Sequence, residues 1–125
     1  MLPTNLVQSP EVNEQIIPLS TFPRAVEARI EPEITELLDS LSPENPWGER
    51  QYAARNLGFR RCQAAVPALL ATLPADPFWM VRCAIIQALE MIGDPASVPS
   101  LEQVAINDSF QVVRAYAAKA VERLS

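Results

Sequence analysis

Residues 76–95 read DPFWMVRCAIIQALEMIGDP, a stretch that is apolar almost throughout and yet carries one arginine, Arg82. Its apolar residues recur at alternating steps of three and one, which is the spacing of one buried face of an α-helix. Gly93, Asp94 and Pro95 close the stretch, and this combination breaks helices. The sequence therefore predicts a buried helix with a permanent charge close to its start.

The arginine belongs to an internal repeat with a period of 32 residues. Arg50, Arg82 and Arg114 are spaced by this interval, and apolar positions keep the same register without a gap. Examples are Ala53–Ile85–Ala117, Leu57–Leu89–Val121, Val66–Val98 and Leu69–Leu101. A period of this size is typical of proteins that stack one supersecondary unit several times.

Each repeat also holds a second, shorter apolar stripe with helical spacing. In the middle repeat it consists of Val66, Leu69, Leu70 and Leu73. Pro67 falls at the start of this second helix, where its missing N–H costs nothing, and no segment shows the strict alternation of a half-buried strand. The sequence therefore predicts an all-α fold, a short α-solenoid of helix pairs in which stacked neighbours bury both stripes.

The first part of the chain differs from the repeats. Residues 1–23 contain four prolines, few bulky aromatics and no steady period. Such a segment is typical of an extended or loosely ordered arm. We therefore expect an arm at residues 1–23 and a repeat domain at residues 24–125.

Composition excludes several classes of function. The chain of 125 residues has 10 basic and 15 acidic residues, for a net charge of −5, which disfavours a nucleic-acid partner because phosphates require a basic patch. It has no histidine, the commonest general base and metal ligand, and its three glycines form no phosphate-binding loop. We therefore expect no catalytic, cofactor-binding or metal-binding residues. Cys62, which lies beside Arg60 and Arg61, is the best candidate for a reactive side chain, and Cys83 is expected to be an inert packing residue.

The chain also lacks the signals of a membrane or secreted protein. No apolar run approaches the roughly 18–20 residues that span a bilayer, and no positive residue precedes an apolar core at the N-terminus. We therefore expect a cytoplasmic protein with no membrane span.

An acidic residue stands six positions before each repeated arginine. In these loops a carboxylate suits the positive end of the helix that follows. In a stack, each acid is expected to lie near the arginine of its own or the adjacent repeat, which gives a structural charge ladder. Its members are Glu44, Arg50, Asp76, Arg82, Asp108 and Arg114.

The repeat from Asp76 to Leu101, with its Val-Arg, Ile-Gly-Asp and Ser-Val-Pro elements, resembles the HEAT-like repeats of the phycobilin-lyase type. Asp108 with Val113-Arg114 opens another copy, and the resemblance covers roughly residues 46–124. It implies an α-solenoid of HEAT-like helix pairs. If the kinship extends to function, it implies a protein of a cyanobacterium that attaches, removes or chaperones a linear tetrapyrrole on a light-harvesting phycobiliprotein.

Two groups of residues are candidates for protein binding near the start of the repeats. Trp47 and Trp79 hold the same repeat position, so their rings either stack on the loop of the next repeat or form an aromatic strip for a partner. The earliest second helix is expected to have an acidic face, formed by Glu31, Glu33, Glu36 and Asp39. They form either a solvated face or a docking site for a basic segment.

The last helix offers a third candidate surface. Val112, Tyr116, Ala117 and Val121 are expected to leave an apolar face partly open, because no second helix follows in the sequence. Such a face suits a homodimer or another partner protein.

These features favour two hypotheses about function. The first is a non-catalytic protein-binding adaptor or assembly factor without a cofactor. The second is a phycobilin lyase-like or phycobilisome-associated protein that handles a linear tetrapyrrole transiently. The expected partner is another protein, either a basic one or a phycobiliprotein.

Overall fold

A computed structural model describes residues 33–125, so the predictions for the arm at residues 1–23 and for residues 24–32 lie outside the described part. Residues 34–125 form one compact unit without strands. Its α-helices are α1 Ile34–Ser40, α2 Trp47–Phe59, α3 Val66–Thr72, α4 Trp79–Ile92, α5 Val98–Asn107 and α6 Gln111–Leu124. Two short 3-10 helices, Gln63–Ala65 and Pro95–Ser97, precede α3 and α5.

The helices follow the period of the sequence. The first helices of the repeats, α2, α4 and α6, begin at Trp47, Trp79 and Gln111, which are 32 residues apart. The second helices, α1, α3 and α5, begin at Ile34, Val66 and Val98 with the same spacing. The predicted all-α solenoid of helix pairs is therefore confirmed.

Local chemistry sets the helix boundaries. Proline occupies the first turn of α3 and of α5, where no hydrogen bond is lost. Gly93 ends α4 with a φ of 80°, a left-handed conformation that glycine adopts without steric cost. Arg61, at the same repeat position after α2, has a φ of 49°. The left-handed turn therefore occurs after both helices, although arginine replaces glycine after α2.

The first helices pack in sequence order, and one glycine brings two of them close together. A Cβ on Gly58 would lie 2.7 Å from the Cα of Ala88, so α2 and α4 cross at near backbone contact. The corresponding position in α4 is Glu90, which forms an ion pair with Arg123 of α6. At this repeat position, α2 thus contacts α4 by close packing, whereas α4 contacts α6 through an ion pair.

The core lies between the first and second helices of each repeat and between neighbouring repeats. The apolar stripe of α4 is buried, with Ile85, Ile86 and Leu89 fully covered. Leu69 and Leu101 of the second helices are fully buried at the same repeat position. Within residues 33–125, none of the helices combines the length and apolarity needed to cross a membrane.

Candidate functional site

Arg50 and Arg82 each hold an aspartate of the following repeat through two parallel hydrogen bonds. Arg50 donates from Nε to Asp76 Oδ2 at 2.7 Å and from Nη2 to Asp76 Oδ1 at 3.1 Å. Arg82 binds Asp108 in the same way at 2.7 and 3.0 Å. The side chains are no more than 9% exposed. Both are therefore buried bidentate ion pairs, the strongest form of such a contact.

The same side chains also organise the loops that begin the first helices. Arg82 donates from Nη1 to the carbonyl of Asp76 in its own repeat at 2.9 Å. The carboxylate of Asp76 accepts from the backbone N–H of Phe78 at 3.0 Å, which fixes the approach to α4. An arginine is therefore accommodated at the start of a buried helix because carboxylate and carbonyl oxygens surround its guanidinium.

Two members of the predicted charge ladder behave differently. Glu44 is exposed and has no ion pair within residues 33–125. Since each arginine reaches the acid 26 positions later, Glu44 would need an arginine at position 18, which is Pro18. Arg114 donates to the carbonyl of Asp108 at 2.6 Å but has no carboxylate partner among the described residues. The prediction that Glu44 is a member of the charge ladder is therefore wrong, since Arg50 pairs with Asp76 instead.

The electrostatic environment favours the ionised form of Asp108. Burial alone raises the pKa of this carboxyl, but hydrogen bonds from Arg82 and from the backbone of Phe110 lower it, as do the charges of Arg82 and Arg114. The net result is a pKa below the ordinary value. The ion pair between the last two repeats therefore depends on pH in the acid range.

An aromatic row runs beside the ion pairs along the starts of the first helices. Trp47 lies 4.8 Å from Phe78, and Trp79 stacks on Phe110 at 5.9 Å, measured between ring centroids. Each tryptophan therefore packs on a phenylalanine of the following repeat. Trp47 remains 47% exposed and Phe110 45% exposed. Arg82 lies over the Phe110 ring at 5.7 Å, a cation–π contact that links the row to the ion pairs.

Two equivalent grooves lie between successive second helices. The first has a volume of about 390 Å³ and lies between α1 and α3, with Leu38, Leu41 and Thr72 in its wall. The second has about 350 Å³ and lies between α3 and α5, with Leu70, Leu73 and Val104 at the matching positions. Every residue that lines the second groove has a counterpart 32 positions earlier in the first. We call this pair the tandem grooves.

The helical repeats agree with comparison to known proteins. A family model described as HEAT repeats matches residues 34–122. The chain belongs to the HEAT repeat family. The bilin biosynthesis protein PecE of Mastigocladus laminosus is 44% identical over 62 residues. No solved structure matches the chain.

The match to this relative is partial in length. It covers 50% of this HEAT repeat chain and 23% of the relative. Together with the family match, it confirms the HEAT-like repeat type that the sequence pattern predicted.

The residues predicted to bind a partner do not form one site in this HEAT repeat unit. The tryptophans lie at the starts of α2 and α4, whereas Tyr116 lies on α6 and is 38% exposed. Glu33 precedes α1, Glu36 lies in its first turn, and both are exposed. Asp39 lines the first of the tandem grooves. The acidic residues therefore lie next to a groove rather than next to the aromatic row.

The apolar face predicted on α6 is narrower than expected. Val112 is 40% exposed, but Ala117 is fully buried and Val121 is half-buried. Ala117 is covered because it faces the core at the repeat position of Ile85, which is also fully buried. The homodimer contact through this helix stays a prediction.

Neither cysteine is paired, and Cys83 is buried while Cys62 is half-buried. Burial raises the pKa of the Cys83 thiol, and the charge of Arg82 offsets this only in part. Residues 33–125 contain no cluster of three or more potential metal ligands.

The tandem grooves were not predicted, because the sequence pattern assigns Leu70 to the apolar stripe of the second helix. The structure leaves Leu38 and Leu70, which share a repeat position, half-buried, and each lines one of the grooves.

Proposed function

We propose that this HEAT repeat protein is a non-catalytic binding module, an adaptor or assembly factor that holds another protein through the tandem grooves. The observation that carries the proposal is that both grooves are lined from the same repeat positions, with leucine or aspartate conserved between them at three of these positions: Leu38/Leu70, Leu41/Leu73 and Asp76/Asp108. Unlike an isolated cavity, such a surface offers equivalent sites at a regular interval. This arrangement suits an extended polypeptide better than a single small molecule.

The spacing of the grooves supports an extended ligand. Neighbouring packed helices lie roughly 8–10 Å apart. A polyproline II segment is extended, rises about 3.1 Å per residue and has about three residues per turn. Its side chains three residues apart therefore share one face, about 9 Å apart, and would enter successive grooves. Asp39 lies in the wall of the first groove, which favours a segment that carries basic as well as apolar residues.

Two exposed, equivalent residues allow this proposal to be tested without disturbing the core. Ala71 and Gln103 line the first and second groove, respectively, and lie 32 residues apart. We expect the double variant Ala71→Arg/Gln103→Arg to bind a phycobiliprotein subunit at least about tenfold more weakly than the parent. Ala64→Arg, an exposed change outside the grooves, should leave the affinity unchanged. Calorimetry measures both, and equal affinities for parent and double variant would refute the proposed surface.

A second candidate function is the handling of a linear tetrapyrrole on a phycobiliprotein. The specific observation in its favour is the 44% identity over 62 residues to a protein named for bilin biosynthesis. Each of the tandem grooves is of a size to receive part of such a chromophore.

One mixing experiment separates the two functions. The chain is incubated with phycocyanobilin and an apo-phycobiliprotein subunit, and absorbance and complex formation are followed together. Complex formation without a bound-bilin spectrum supports the adaptor. A bilin spectrum that appears on either protein only when the chain is present supports chromophore handling. Neither signal at micromolar concentrations would count against both functions on this class of partner.

A further inference from the structure

A second elongated depression lies on the first helices and runs from α2 across the C-terminal part of α4 to α6. It consists of two cavities of about 380 and 210 Å³. Both are lined by Gln87, Glu90 and Arg123, so they are continuous. Arg55 and Phe59 of α2 complete one end, and Tyr116 and Lys119 of α6 complete the other. We call this depression the outer groove.

The outer groove collects positive charge in an acidic chain. Arg55, Lys119 and Arg123 line it, against a single acidic side chain, Glu90, which forms an ion pair with Arg123. Arg55 and Lys119 are exposed and have no ion pair within residues 33–125. Since the whole chain has a net charge of −5, this local excess of cations creates a surface that attracts an acidic partner.

Large apolar side chains are exposed along the same surface. Phe59 is 64% exposed and Tyr116 is 38% exposed, at opposite ends of the groove. Tyr52 is 53% exposed and precedes Arg55 and Phe59 by three and seven residues, so it lies on the same face of α2. Met91 lines the floor beside Phe59. Aromatic side chains next to arginine are the usual composition of energetically important contacts between proteins.

We propose that the outer groove binds an acidic amphipathic α-helix of another protein. Its apolar side would contact Phe59, Met91 and Tyr116, while its carboxylates would pair with Arg55 and Lys119. The groove crosses α4 near its C-terminal end and spans the three first helices, a distance of about 16–20 Å at 8–10 Å between neighbouring helices. A partner helix of about three to four turns fills that distance, in the helix-in-groove mode of recognition.

The observations favour a protein helix over a nucleic acid. Three cations with one neutralising carboxylate offer little to a phosphate backbone, and the acidic balance of the rest of the chain repels one. The inference goes beyond the proposed function, because the outer groove shares no lining residue with the tandem grooves. It therefore stands even if the tandem grooves bind nothing.

The test uses the full chain and a helix-stapled, fluorescein-labelled peptide of about 16 residues, long enough to cross the three first helices. The peptide carries leucine and phenylalanine on one side and glutamate on both flanks, and a matched peptide carries lysine in place of glutamate. We expect the glutamate peptide to bind and the lysine peptide not to bind, by fluorescence anisotropy. Binding of the glutamate peptide should weaken about tenfold in Arg55→Glu/Lys119→Glu.

Arg60→Glu/Arg61→Glu is the matched control, because it makes the same change in net charge outside the groove, in the turn after α2. This control should bind the glutamate peptide like the parent, and circular dichroism checks that both double variants are folded. The inference is overturned if binding is weaker than about 1 mM, if both double variants lose affinity equally, or if the lysine peptide binds as well. It is also overturned if amide chemical shifts move on α3 and α5 rather than at the residues that line the outer groove, or if an oligonucleotide displaces the peptide.

Discussion

Asp76 and Asp108 each join two repeats through a single carboxylate. Asp76 accepts two hydrogen bonds from Arg50 of the preceding repeat and one from the backbone N–H of Phe78 in its own. Replacing a buried ion pair with apolar residues is often neutral, but removing one partner leaves an uncompensated buried charge. The pairs therefore specify which loop stacks on which helix. Removing one partner of a pair should lower stability by more than the intact pair adds to it.

The chain supplies a matched pair of substitutions for this point. Asp76→Asn should destabilise the fold by about 3–5 kcal/mol, because Arg50 stays buried without its counter-charge. Glu44→Gln makes the same chemical change at the equivalent repeat position, where no ion pair forms within the described residues, and should fall within about 0.5 kcal/mol of the parent. Urea unfolding followed by circular dichroism measures both free energies. Similar values for the two variants would mean that the buried pair is not what Asp76 contributes.

The lowered pKa of Asp108 predicts how stability depends on acid. Because the pKa is lower in the folded state, the unfolded chain binds more protons between the two values, and stability rises with pH there. The contribution of Asp108 is complete above the ordinary pKa of about 3.8 and is lost as pH falls through the folded value. Parent and Asp108→Asn should therefore differ in unfolding free energy at pH 7, and the difference should shrink as the pH falls below the ordinary pKa of Asp108 and through its folded value. A difference that stays constant over this range would contradict the assignment.

At the scale of helices, the two interfaces between first helices differ because of one glycine. Gly58 lets α2 approach α4 closely, since an added Cβ would meet the backbone of Ala88. Glu90 occupies the same repeat position in α4 and joins α6 through Arg123 instead. Equivalent helices can thus keep one repeat register while they pack at different distances.

A pair of glycine substitutions in α2 separates packing from helix propensity. Gly58→Ala should cost about 1–3 kcal/mol, because a backbone atom cannot move aside as a flexible side chain would. Gly48→Ala lies in the same helix with nothing within 4 Å of the added Cβ and should stabilise the fold by up to about 1 kcal/mol. Thermal unfolding shows whether each substitution lowers or raises the stability of the fold. Stabilisation by both changes would show that α2 and α4 are less closely packed than described.

Across the whole molecule, the sequence predicted the features that depend on buried, repeated positions. It did not predict the features that depend on exposed residues or on which repeat an acid pairs with. The helix starts at Trp47, Trp79 and Gln111 follow from buried residues at fixed spacing, since every stacked layer must cover the same apolar stripes. The direction of the ion pairs did not follow, because an acid six positions before an arginine and one 26 positions after it satisfy the same periodic pattern. The outer groove depends on exposed residues such as Arg55 and Lys119, which the stacking does not constrain.

The rule that each arginine binds the aspartate 26 positions later predicts the behaviour of an enlarged stack. Appending a copy of residues 94–125 directly after Ser125 keeps the 32-residue register and places a copy of Asp108 at position 140, where it meets Arg114. In the parent, Arg114 bonds a carbonyl but has no carboxylate among the described residues, so Arg114→Gln should cost no more than about 1 kcal/mol. In the enlarged chain the same substitution should cost about 3–5 kcal/mol, because it leaves a buried aspartate unpaired. Urea unfolding of the parent and the enlarged chain, each with and without Arg114→Gln, measures the cost of the substitution in both. Equal costs would show that the pairing seen at Arg50 and Arg82 does not extend to an added repeat.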